Sequence, residues 1–116
     1  MNFLKTLLGG TVAHVTVADL QARLKHKQKP VLVDVRHRSE FEAGHIAGSK
    51  HIELQVLRQK MSSLPQNRPL ICICRSGARS SAAARHLASH GYEAYNLRGG
   101  ILSWQRAGLP LKKGRN

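Results

Sequence analysis

Two stretches of this chain, "KPVLVDVR" (residues 29–36) and "RPLICIC" (residues 68–74), each follow a Pro with a run of aliphatic and β-branched residues that hardly alternates. A strand that is apolar on both faces must be covered on both faces, which is the condition of a strand inside a parallel sheet flanked by helices. Between these runs the periodicity changes. "HVTVADLQARLKH" passes from a short β-type run to Thr16, a good N-cap, and then to Val17, Leu20 and Leu24 at helical intervals. "SEFEAGHIAGSKHI" predicts a short helix capped by Ser39, breaks at Gly44 and Gly48, and a short strand near residues 50–52. "LQVLRQKMSSL", with Leu54, Leu57, Met61 and Leu64, reads as one helix ending before Pro65. "SSAAARHLASHG" reads as a helix stopped by Gly91, "EAYNL" as a further strand, and "GGILSWQRAGLP" as a last helix over about 101–107. Alternation of this kind predicts an α/β fold, a three-layer α/β/α domain around a mostly parallel sheet of about five strands. With 116 residues one core is expected: an N-terminal arm over 1–12, a domain over 13–111 and a basic tail over 112–116.

Composition narrows the classes. Lys and Arg number 19 against 6 Asp and Glu, a formal charge of +13. The cations are spread along the chain without a basic block, and five aromatics with no RNA-binding signature argue against nucleic acid. A positive field would instead concentrate small anions. No apolar stretch approaches a membrane span, and the opening "MNFLKTLLGG" is interrupted by Lys5 without a cleavage signature, so a cytoplasmic chain is expected.

Cys72 and Cys74 stand two apart in the second apolar run. In an extended strand their Cα atoms lie about 6.6 Å apart with parallel Cβ vectors, which disfavours a disulfide and leaves two free thiols. Cys72, in mid-strand, reads as core. Cys74 stands where the strand stops and a helix begins, at the carboxyl end of a strand, which is where parallel sheets bind ligands. The helix N-terminus and Arg75 and Arg79 favour the thiolate, which is the nucleophilic form. Gly77, with Ser76, Ala78 and Ser80, allows the segment to curl its N–H groups around the sulfur as an anion nest.

Three motifs carry a resemblance to the single-domain rhodaneses. "VDVRHRSEFEAGHIAGSKHI" is similar to that family's first signature, "CRSGARS" to its active-site loop, and "YEAYNLRGGILSWQRAGLPL" to its closing segment. In "GSKHIEL" the family more often has an Asn and then a Pro, where His51 and Glu53 stand here. The resemblance implies a rhodanese-like sulfurtransferase in which Cys74 attacks the sulfane sulfur of a donor such as thiosulfate and carries a persulfide to a thiol, cyanide or protein acceptor. Loop N–H groups from Arg75 to Ser80 would hold the anionic sulfur, and Arg75 and Arg79 would attract the donor. No cofactor beyond the covalent persulfide is implied, and a monomer is expected. Rhodanese-fold phosphatases and arsenate reductases resemble this loop with Cys-x5-Arg. Here the spacing from Cys74 to Arg79 is Cys-x4-Arg, with Ser80 at the phosphatase Arg position, which favours sulfur transfer. A non-enzymatic sulfur-carrier module would need the same loop.

The supporting residues read as structural. Asp34 and Arg36 flank Val35 at a strand end and face one side, so a charge network among Arg36, Glu40 and Asp34 is expected. His45 is expected to fix a loop by hydrogen bonding, because attack by a thiolate needs no general base. Leu102 and Trp104 read as core. His86 and His90 share a helix face but lack a third ligand, so no metal is expected.

Overall fold

The two apolar runs lie side by side at the centre of a sheet. In the computed structural model, which describes residues 12–115, they are β2 (Val31–Asp34) and β4 (Leu70–Ile73), buried along their whole length. Their register is parallel, with Val33 beside Cys72 and Asp34 beside Ile73. Three more strands complete the sheet: β1 (His14–Val15), β3 (Lys50–His51) and β5 (Ala94–Leu97), in the order β1-β5-β4-β2-β3, every pairing parallel. The helices are α1 (Val17–Leu24), α2 (Arg38–Ala43), α3 (Leu57–Lys60), α4 (Ala78–Ser89) and α5 (Gly100–Arg106).

Successive strand residues point to opposite faces, so the core divides in two. One half packs Val31, Val33, Leu70, Cys72 and Cys74 against Leu57 of α3 and Ala83, Ala84 and Leu87 of α4. The other packs Leu32, Ile71, Ile73 and Tyr95 against Leu20 of α1 and Ile101 and Trp104 of α5. These are the three layers that the two-faced apolar runs require.

Local chemistry explains the ends of the elements. Thr16 caps α1 through a full capping box, accepting from the Asp19 N–H at 3.1 Å while Asp19 accepts from the Thr16 N–H at 3.0 Å. Gly91, at φ +91°, closes α4 in a Schellman arrangement in which Tyr92 N–H donates to Leu87 O and Gly91 N–H to Ala88 O.

Two expectations are corrected. Ser39 lies inside α2, which starts at Arg38; Glu40 instead accepts from the His37 N–H at 3.1 Å and so takes over the first-turn bond. The single helix expected over 54–64 is broken into 3₁₀ turns at Leu54–Val56 and Met61–Ser63 around the four-residue α3. Ser63 Oγ donates to Lys60 O at 2.8 Å, a local bond that competes with helix continuation.

The arm expected over 1–12 lies outside the described residues except for Val12, which packs against the core. The expected tail begins in contact with the domain: Lys112 and His45 exchange backbone hydrogen bonds at 2.9 and 2.8 Å, and Gly114 N–H donates to Glu42 O. Among the described residues no helix is long and apolar enough to cross a membrane.

Candidate active site

Cys74 follows the last residue of β4 and is 1% exposed. Its Sγ accepts from the Gly77 N–H at 3.0 Å and from the Ser80 hydroxyl at 3.2 Å. Burial pushes its pKa up, but the Ser80 hydroxyl and the N–H groups of Ser80, Gly77 and Ser76 outweigh that and hold it below the usual thiol value. Cys72 has no such donors. Full burial, with Cys74 as neighbour, pushes its pKa up to about 12, so it stays a core thiol.

The curl that brings these donors together depends on Gly77, which precedes α4 at φ +117°. The loop is held from outside by the start of α5. Ile101 N–H donates to Cys74 O at 2.9 Å and Leu102 N–H to Arg75 O at 3.1 Å, so unpaired amides of a helix N-terminus are satisfied by the loop's carbonyls. Such an approach leaves no room at Gly100, where an added Cβ would lie 2.3 Å from Cys74 O and 2.6 Å from Arg75 O.

The other candidate residues separate into distinct pairs. Asp34 and Arg36 form a buried fork, with Arg36 Nη2 2.8 Å from Asp34 Oδ2 and also 2.8 Å from Gly44 O. Glu40 does not join it, contrary to the expected Arg36–Glu40 network. It takes both arms of Arg79 instead, at 2.7 and 2.9 Å, because the first turn of α2 faces the first turn of α4. The Arg79 contact holds the Glu40 carboxyl down to about 2. The Arg79 fork is therefore committed to a carboxylate, while Arg75, Ser76 and Ala78 are exposed.

His45 is wholly buried, stacked on Phe41 at 3.7 Å between centroids, with Nδ1 2.8 Å from Phe41 O. It secures the 44–46 turn, and its hydrogen bonds do not reach the Cys74 loop. His51 and Glu53, at the departure from the family pattern, bind Arg36 O and His37. Trp104 is core and donates to Pro110 O. Among the described residues no group of three His, Cys, Asp or Glu side chains could hold a metal ion. A cleft of about 690 Å³ lined by Arg38, Phe41, Lys50, His51, Lys60 and Arg115 does not include Cys74.

Two features of the site were not read from the sequence. Asn96, 3% exposed in β5, offers its Oδ1 as a second acceptor to the Ser80 hydroxyl, whose one hydrogen serves either it or Cys74 Sγ, and contacts His14 Nδ1 at 3.0 Å. Its signal is a lone amide in the short strand run "AYNL". The Gly99–Gly100 pair, at φ +77° and +56°, was read only as a helix start.

Comparisons with known proteins bear on the family and the fold. The Rhodanese-like domain family matches residues 16–107. A sulfurtransferase of Allochromatium vinosum is 37% identical over 101 residues, covering 86% of this chain and 94% of that protein. The thiosulfate sulfurtransferase GlpE of Vibrio cholerae is 33% identical over 100 residues, covering 85% and 93%. The crystal structure of a rhodanese-related protein from Thermoplasma volcanium superposes with a TM-score of 0.80 at 33% identity, covering 86% and 97%. A donor-lined cysteine after the central strand, within a fully parallel five-stranded sheet and with relatives of this kind, places the chain in the rhodanese-like family of sulfurtransferases.

Proposed function

We propose that this protein transfers sulfane sulfur from a small anionic donor such as thiosulfate through a persulfide on Cys74. The observation that carries this reading is the set of donors converging on a 1% exposed sulfur, because they lower the pKa of a group that burial alone would raise.

The chemistry proceeds in two displacements. The Cys74 thiolate attacks the outer sulfur of thiosulfate; the S–S bond of the donor breaks and its electron pair leaves with sulfite. Cys74 then carries an S–S⁻ group whose charge falls among the N–H donors of residues 76–80. An acceptor thiolate or cyanide attacks the outer persulfide sulfur, the new S–S bond breaks, and the electron pair returns to Cys74. No base is required at either step, which fits the structural role of His45.

Arg75, exposed on the loop, would draw in the dianionic donor. Arg79, tied to Glu40, would hold the first turn of α4 against α2 and add its charge at longer range. All six acidic residues are already engaged: Asp34, Glu40 and Glu42 with Arg, Glu53 with His37, Asp19 with Thr16 and Glu93 with Tyr95. The positive field is thus left to act on solutes.

The test is a mass spectrum after incubation with thiosulfate. A gain of about 32 Da on the peptide containing Cys74, lost on adding cyanide, is expected. Loading only by a cysteine desulfurase, with no thiosulfate turnover, would replace this reading with that of a sulfur-carrier module.

A further inference from the structure

We propose that His14, Asn96 and Ser80 form a hydrogen-bonded relay that controls the ionisation of Cys74, and that the Asn96 amide reverses when the sulfur loses its proton. The proposal rests on Cys74 being the reactive thiol. His14 and Asn96 are register partners on β1 and β5, and Asn96 is in turn the partner of Cys72 on β4, so one row of the sheet lies beneath the loop. Ser80 joins that row from α4.

The argument is a count of protons. The Ser80 hydroxyl has one hydrogen and two neighbouring acceptors, Cys74 Sγ at 3.2 Å and Asn96 Oδ1 at a shorter distance. In this arrangement the Asn96 Nδ2 faces His14 Nδ1 at 3.0 Å, which must then be unprotonated. The chain is satisfied when every bond points outward: Cys74 S–H to Ser80 Oγ, Ser80 O–H to Asn96 Oδ1, and Asn96 N–H to His14. That is the thiol state.

A thiolate needs the opposite direction. Ser80 O–H must donate to the sulfur, which would set the Ser80 and Asn96 lone pairs against each other unless the amide turns. With the amide turned, Asn96 N–H donates to Ser80 Oγ and Asn96 Oδ1 accepts from a proton on His14 Nδ1. The His14 ring is exposed, so its tautomer can adjust through solvent, whereas the Asn96 amide is buried and must be satisfied by these partners.

Other charged groups lie outside the chain. Arg98 faces His14, the Arg79–Glu40 pair from α4 and α2 faces the sulfur, and Cys72 lies beneath it as a neutral thiol. They set the background potential but exchange no proton with Ser80.

The readout is the pH profile of Cys74 alkylation by iodoacetamide, which needs no sulfur donor. His14→Leu removes the ring nitrogens at an exposed position. It is expected to slow alkylation at pH 7 about threefold by moving the inflection upward, and to have no effect in a Ser80→Ala or Asn96→Leu background. Ser80→Ala keeps the test open if the buried Asn96 variant does not fold. An unchanged profile in His14→Leu, or the same threefold loss in both backgrounds, overturns the relay. Coupling in alkylation without a persulfide adduct from thiosulfate supports the relay and overturns the transfer reading; an adduct without coupling does the reverse.

Discussion

Gly100→Ala tests whether the start of α5 holds the Cys74 loop in its reactive shape. The added Cβ would meet Cys74 O at 2.3 Å, Arg75 O at 2.6 Å and the Arg75 carbonyl carbon at 2.8 Å. These are backbone atoms, so no side-chain rotation relieves them. The loop and the helix must part by about 1 Å, a displacement that at a reacting centre can reduce rate about 100-fold. The substitution also places Ala at φ +56°, which costs about 1–2 kcal/mol by itself.

Gly91→Ala separates the two effects. It has a comparable positive φ of +91° at the end of α4, with open space around the missing Cβ. Each variant is expected to lower the melting temperature by about 4–8 °C for each 1 kcal/mol lost. Only Gly100→Ala should also lose about 100-fold in thiosulfate:cyanide turnover and in the alkylation rate of Cys74, measured well below its melting temperature. If Gly100→Ala turns over within about threefold of the parent while it melts lower, the clamp contributes stability alone and the reasoning fails.

Cys74→Ser is expected to abolish persulfide formation, whereas Cys72→Ser, at a thiol held neutral by burial, should keep most of it; thiosulfate:cyanide assays of both would refute the assignment if Cys74→Ser stays active. Arg75→Ala is expected to raise the KM for thiosulfate severalfold with little change in kcat, and the loss should shrink as salt screens the field; an equal loss with a neutral donor would contradict its electrostatic role. Glu40→Gln removes a carboxylate whose folded pKa is lowered to about 2, so the stability it supplies is present above the ordinary carboxylate range and lost as pH falls toward 2. With the pair about one-third exposed, a loss of about 1–2 kcal/mol at pH 7 is expected, most of it gone by pH 3; urea unfolding of both proteins at the two pH values checks the sign.

The linear pattern of residues already determined the layers and set Cys74 apart from Cys72. Runs apolar on both faces, such as those around Val33 and Ile71, can be buried in few ways, and the end of the apolar run separates Cys72, inside the strand, from Cys74, where the strand gives way to the loop. Short-range signals were equally legible at Thr16 and Gly91, because a cap or a helix stop is made within a few residues. Ser39 and the 54–64 segment were misread, since several short-range hydrogen bonds compete there on nearly equal terms.

Tertiary structure decided what depends on which elements meet. Arg36 has both Asp34 and Glu40 within a few residues, whereas Arg79 has no acid nearer in sequence than Glu93, and only the facing of α2 and α4 gave Glu40 to Arg79 and left Asp34 to Arg36. Asn96 and Gly100 enter the site from β5 and α5, more than twenty residues beyond Cys74. The polarity of strands places residues on faces, but the partners of a buried hydroxyl or carbonyl are chosen by packing, where each donor and acceptor must be matched in three dimensions.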